Sequence, residues 1–168
     1  MKSVAVLFMF LGLAKQCSKI DTYSMLDKNN HPAIVHNMEL TLTDDLNSDD
    51  SATALWAKEF LAGFETEFKN YHPDKNIIDK LKKFSTEIQV KVIGGNWCSD
   101  TKREVPRLCK ILYYMGVDAN KFEYYRVDRN KKPVEPDFAS SRTIGAVPDM
   151  VIYKNGTDTV TRKFEACQ

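Results

Sequence analysis

The chain has 168 residues, with 24 Lys plus Arg against 23 Asp plus Glu and a formal net charge of +1. At roughly 100–200 residues per domain this allows one compact domain with an appendage, and the balanced charge offers no field of one sign for a nucleic acid backbone. A composition 43% hydrophobic and 28% charged, with 9 Phe, 7 Tyr and 2 Trp, excludes global disorder. Four cysteines without a CxxC pair or Cys/His ligand spacing argue against a disulfide-built scaffold and a structural zinc site.

Met1-Lys2 precedes an apolar run from Val4 to Ala14, too short for the roughly 20 residues of a membrane span. With small residues at Gly12 and Ala14, residues 1–14 read as a short secretory signal peptide cleavable after Ala14; the alternative is an N-terminal strand or helix of a cytoplasmic protein. Cys17 raises a lipid anchor, against which Lys15 and Gln16 stand, since a lipobox has small residues there. Residues 15–50 read as a loosely ordered lead-in, weakly strand-like at Ala33-Ile34-Val35 and Met38 to Leu42. Residues 51–87 read as N-terminal helices. Trp56, Phe60, Phe64 and Phe68 form a stripe at helical spacing to about Tyr71, capped by Asp49, Asp50 or Ser51, and Ile77, Ile78, Leu81 and Phe84 share a face of a second helix. Core packing outweighs a cofactor box as the meaning of the aromatic stripe.

From Ile88 a β-branched run to Ile93 stops at Gly94-Gly95 as a strand would. Trp97-Cys98 follow, then a helix with Val105, Leu108, Cys109 and Leu112 on one side. Phe122 to Val127 reads as a strand, Phe138 to Arg142 as a short helical segment. Met150 to Tyr153 and Thr159 to Phe164 pair across Asn155-Gly156, which suits a type I′ turn and also explains the sequon Asn155-Gly156-Thr157.

This order, with Trp97-Cys98 at a strand-to-helix junction, Pro106 eight residues after Cys98 and Val147-Pro148 before the hairpin, resembles the thioredoxin family over residues 88–164. It is most similar to Bacteroidetes-type members with Trp-Cys-x-Asp-Ser, Arg-x-Val-Pro, Val-Asp-Arg and Val-Pro. Here these are Trp97-Cys98-Ser99-Asp100-Thr101, Arg103-Glu104-Val105-Pro106, Val127-Asp128-Arg129 and Val147-Pro148. The resemblance implies an α/β, thioredoxin-like three-layer sandwich over residues 88–168 with an added N-terminal helical segment and a cis Val147-Pro148 bond; the signal-peptide reading of residues 1–14 implies export, to the bacterial periplasm or cell envelope. Thr101 stands where a thioredoxin has its resolving cysteine, and the buried acid of that family falls at about Val92. The family's C-terminal helix is expected to be absent, so that either the coding sequence is truncated or another element, such as the 51–71 helix, covers that sheet face.

The implied chemistry rests on Cys98, expected as an exposed thiol modestly activated by a helix N-terminus, with Lys102 and Arg103 assisting and Asp100 opposing. Trp97, Val147 and Pro148 would bind an extended substrate; Asp100, as a helix cap, Thr101, through its hydroxyl, Arg103 and Pro106 would support the site. Cys167 is a possible resolving thiol, and Cys109 a buried core residue. His31, His36 and His72 are expected at the surface. Two readings stand: a monothiol redox protein acting on protein or small-molecule thiols and disulfides, with no metal or organic cofactor, no nucleic acid and no membrane span; and a non-catalytic module that binds extended peptides.

Overall fold

The computed structural model describes residues 32–135 and 138–163. The first helices are α1 (Ala33–Thr41) and α2 (Thr43–Leu46), in the segment expected to be a loosely ordered lead-in. Ile34, Met38 and Leu42 recur every four residues and are buried, so the apolar spacing of a helix face prevails over the β-branched pair Ile34-Val35. Next comes α3 (Ser51–Asn70), whose N-cap is Asp50: its carboxylate accepts from Ala52 N (3.3 Å) and Thr53 N (3.2 Å). Phe60, Phe64 and Phe68 are buried from this helix, Phe60 against Tyr124 at 5.8 Å between ring centroids, which makes the stripe core. Asp74 caps α4 (Lys75–Leu81); Ile78 is buried there, but Ile77 is 55% exposed and does not share its face.

The sheet has order β2-β1-β3-β4. β1 (Ile88–Gly94) runs parallel to β2 (Phe122–Arg126), joined through α5 (Ser99–Met115), and antiparallel to β3 (Asp149–Lys154), which forms a hairpin with β4 (Thr157–Lys163). Asn155 and Gly156 both have positive φ, 50° and 79°, as the expected turn requires. α5 ends at Gly116, φ 80°, where the Val117 N–H donates to Leu112 O.

The architecture is mixed α/β. Val90 and Val92 of β1, Phe122 and Tyr124 of β2 and Met150 of β3 pack with α1, α3, α4 and α5 in one cluster. Alternation along the strands sends Ile93 to the other face, where it packs with Cys98, Val127, Ala139 and Val147. Among the described residues that second face carries a 3-10 turn, Phe138–Ser141, and no helix layer. Among the described residues, a helix layer and a sheet layer with a partial cover therefore stand where three layers were expected. α3 does not supply the missing layer, because its phenylalanines face the same side of the sheet as α5.

Candidate functional site

β1 delivers the chain to α5 through Gly94-Gly95-Asn96-Trp97, and close approach explains the glycines. A Cβ on Gly94 would lie 2.6 Å from the Tyr124 ring and 2.8 Å from Thr101 Cγ2; one on Gly95 would lie 2.6 Å from the Trp97 indole. Cys98 is the N-cap of α5. Its N–H donates to Gly95 O (2.9 Å), and its Sγ accepts from Thr101 N–H at 3.5 Å and lies 3.4 Å from Val147 O. The Val147-Pro148 peptide bond is cis, as expected.

Two properties of Cys98 differ from the expected exposed thiol. Cys98 is 1% exposed, because Trp97, Val147, Ala139, Phe138 and Ile144 close over it. It is also disulfide-bonded. Cys109, the other described cysteine, is free and fully buried. Desolvation raises the Cys109 thiol pKa well above the usual range, which makes it inert.

The supporting residues are brought together in altered roles. Asp100 is buried and pairs with Arg103 at 2.9 Å rather than capping the helix; the cap is the Cys98 sulfur. Arg103 also pairs with Glu104 at 2.6 Å. Thr101 is fully buried, and its hydroxyl has no hydrogen-bond partner, so its backbone N–H serves the site instead. Pro106 is buried inside α5, and Val147 and Pro148, expected to bind an extended substrate, are buried too. His36 pairs with Glu39 at 3.5 Å, and His72 Nδ1 lies 2.6 Å from Asn70 O, both away from Cys98. The signal-peptide residues 1–14, Cys17, His31 and Cys167 lie outside the described residues.

Three features had no local signal. Behind the Asn96-Trp97 turn, Arg126 pairs with Asp45 of α2 at 2.6 Å and with Glu135; Asn96 Nδ2 donates to Asp45 Oδ2 (2.9 Å), and Tyr124 OH donates to Asn96 Oδ1 (3.0 Å). Burial, with the Asp45 charge adding, pushes the Tyr124 hydroxyl pKa far above its ordinary value. In front of that turn, the Arg129 guanidinium sits 4.8 Å from the Trp56 ring and 5.7 Å from the Trp97 ring, at the rim of a 130 Å³ pocket that also reaches Asn96 and Arg126. Finally, Asp149 follows Pro148, is fully buried and is paired in register with Ile93, which puts it on the sheet face where Cys98 and Val147 pack. Val92 occupies the opposite face.

Among the described residues no cluster of three or more His, Cys, Asp or Glu could hold a metal ion, and no helix is long and apolar enough to cross a membrane. No protein-family model matches the chain, and no curated protein matches it.

Proposed function

We propose that the chain is a thioredoxin-like thiol–disulfide protein whose reacting atom is Cys98 Sγ, exchanging with protein or small-molecule thiols and disulfides. The observation that carries this reading is a disulfide-bonded sulfur at the N-cap of α5, 3.4 Å from the carbonyl that precedes a cis-proline. The strand order β2-β1-β3-β4, with a parallel pair crossed over by a helix and an antiparallel hairpin, supports the same kinship.

The chemistry follows from the surroundings of the sulfur. When an incoming thiolate attacks the disulfide at the partner sulfur, the bond to Cys98 breaks and the electron pair leaves on Sγ. The Thr101 N–H and the positive end of α5 favour charge there. After protonation, the thiol hydrogen finds an acceptor in Val147 O. A substrate segment laid in extended form beside Val147-Pro148 would have to uncover these buried residues before it could bring its own sulfur to the same point. Export to an oxidising compartment suits a disulfide that persists at rest.

The test is to reduce the full chain, remove the reductant and follow its reaction with 5,5′-dithiobis(2-nitrobenzoate), mapping the modified peptide by mass spectrometry. Wild type is expected to be modified first at Cys98, and Cys98→Ser to lose that fast phase. An unreactive Cys98 in the reduced, folded chain, or an unchanged fast phase in Cys98→Ser, overturns the reading.

A further inference from the structure

We infer that Arg129 and Lys131 are positioning residues of the thiol–disulfide site: from one loop they hold the two sides of the apolar cover over Cys98 and so set how fast its sulfur is reached. The inference rests on the thiol–disulfide reading and adds to it the groups that control access to the reacting atom. Cys98 is 1% exposed, and Trp97, Ile144 and Val147 are among the residues that close over it. Trp97 lies in the connection that leaves β1, Ile144 and Val147 in the one that enters β3. Neither side of the cover is therefore fixed by a strand ladder or a helix.

The loop that follows β2 has a backbone fixed by its own hydrogen bonds. Val127 bridges Pro133, and the Val134 N–H donates to Arg126 O at 3.1 Å. The Asp128 carboxylate accepts from Asn130 N and Lys132 N, both at 2.8 Å. The Asp128 N–H donates to Lys132 O and the Lys131 N–H to Asp128 O, each at 2.9 Å. Lys131 takes a φ of 60°, a left-handed conformation uncommon for a residue with a side chain. Arg129 and Lys131 thus leave one closed turn, and each ends on a different side of the cover.

On the first side, the Trp97 indole lies over Gly95, where a Cβ would meet it at 2.6 Å, and its Nε1–H donates to Val127 O at 3.3 Å. The Arg129 guanidinium sits 5.7 Å from the Trp97 ring and 4.8 Å from the ring of Trp56, near enough for attraction to both π systems. Trp56 belongs to α3, whose Phe60 and Phe64 are fully buried. Arg129 therefore ties Trp97 to a helix anchored in the core.

On the second side, the Lys131 ammonium donates to Gly145 O at 2.8 Å. Gly145 follows Ile144 and stands two residues before Val147, whose carbonyl lies 3.4 Å from Cys98 Sγ. Loosening either arm frees a covering residue while leaving in place the Thr101 N–H that meets the sulfur. It also leaves untouched the other sheet face, where Cys109 is buried. Access to Cys98 is therefore separable both from the acidity of its thiol and from the stability of the core.

The test uses the reduced full chain and three variants, Arg129→Ala, Arg129→Lys and Lys131→Met, with iodoacetamide as the probe. Alkylation of Cys98 and Cys109 is followed by peptide mapping across a series of pH values. Cys98 should react about two- to fivefold faster in Arg129→Ala than in wild type, the factor set by one exposed cation–π contact. In Lys131→Met the gain should be about two- to tenfold, from the loss of one hydrogen bond, while Arg129→Lys, which keeps the cation, should stay near wild type. The pH midpoint of the Cys98 reaction should not move, and Cys109 should remain as slow as in wild type; a general loosening of the fold would expose Cys109 as well. A Cys98 rate equal to wild type in Arg129→Ala or in Lys131→Met, Arg129→Lys as fast as Arg129→Ala, a shifted midpoint, or joint acceleration of Cys98 and Cys109 overturns the inference. Each of these leaves the thiol–disulfide reading intact, since that reading needs only that Cys98 of the wild-type chain react. Absence of reaction at Cys98 in the wild-type chain overturns both.

Discussion

Replacing Asp45 by alanine tests whether the segment before α3 is an integral part of the fold. The Asp45 and Arg126 side chains are 12% and 7% exposed and meet at 2.6 Å. At that separation an effective dielectric constant of about 20 gives roughly 6 kcal/mol of attraction, much of it offset by desolvation of both ions. Removing one partner leaves the desolvation of the other in place, a loss of about 3–5 kcal/mol. Glu135 keeps hold of Arg126 but is 54% exposed and so compensates weakly, while the Asn96 amide loses its acceptor. Asp45→Ala should therefore destabilise by about 3 kcal/mol. Urea unfolding followed by the fluorescence of Trp56 and Trp97, with the disulfide kept oxidised, measures it. Asp45→Asn separates charge from hydrogen bonding, because it preserves the acceptor for Asn96. The double variant Asp45→Leu/Arg126→Met should recover most of the loss. A cost for Asp45→Ala under about 1 kcal/mol, or single-variant costs that simply add in the double variant, would refute the claim that a buried charge pair docks α2.

Tyr124→Phe should cost about 1–3 kcal/mol in the same assay, because it removes the hydroxyl that donates to the buried Asn96 carbonyl. Gly94→Ala should be destabilising by about 1–3 kcal/mol through overpacking against Tyr124 and Thr101; Gly63→Ala, where a Cβ meets nothing within 4 Å in the middle of α3, should gain about 0.5–1 kcal/mol, and thermal unfolding of the two ranks them. Stability should decline in alkali because burial raises the Cys109 thiol pKa. Below about pH 8.5 the thiol is protonated in both states and its contribution is whole; above that the unfolded chain ionises first, and stability falls by about 1.4 kcal/mol per pH unit. Cys109→Ala should flatten that slope between pH 8.5 and 10 in denaturant titrations, and an unchanged slope would contradict a protonated, buried thiol.

What was legible in the sequence is what short-range pattern encodes. The β-branched run at Ile88–Ile93, the apolar side of α5 and the Asn155-Gly156 turn each carry their own periodicity or turn chemistry, and each forms where expected. α1 was obscured because Ala33-Ile34-Val35 and Met38-Glu39-Leu40-Thr41-Leu42 also satisfy strand patterns; only burial against the sheet selects the four-residue spacing of Ile34, Met38 and Leu42. Asp45 looks like one acid among several from Asp44 to Asp50, and its partner Arg126 is distant in the chain, so no local pattern singles it out. The burial of Cys98 was hidden for the same reason. Its position at a helix start is local information, but the residues that close over it come from the stretch around Phe138 to Val147.

That closure locates the part of the molecule that governs access to the sulfur. On the second sheet face, Lys91 pairs with Glu123 at 3.2 Å and donates to Tyr125 OH at 3.3 Å. These hydrogen bonds outweigh burial and raise the Lys91 ammonium pKa above its ordinary value, so this part of the face is charged and only partly covered. Toward Ile93 the same face becomes apolar: half-buried Phe138 meets half-buried Tyr125 at 5.2 Å, and the buried Ala139 and Val147 pack with Cys98. The cover is held at one side by the Lys131 ammonium, which donates to Gly145 O at 2.8 Å. A sheet ladder and a seventeen-residue helix cannot shift without losing their hydrogen bonds together, whereas a single 3-10 turn and its flanking loop can. An external thiol or disulfide must therefore reach Cys98 through displacement of the Phe138–Ser141 turn or by attack at the partner sulfur. The second route leaves the buried cluster intact.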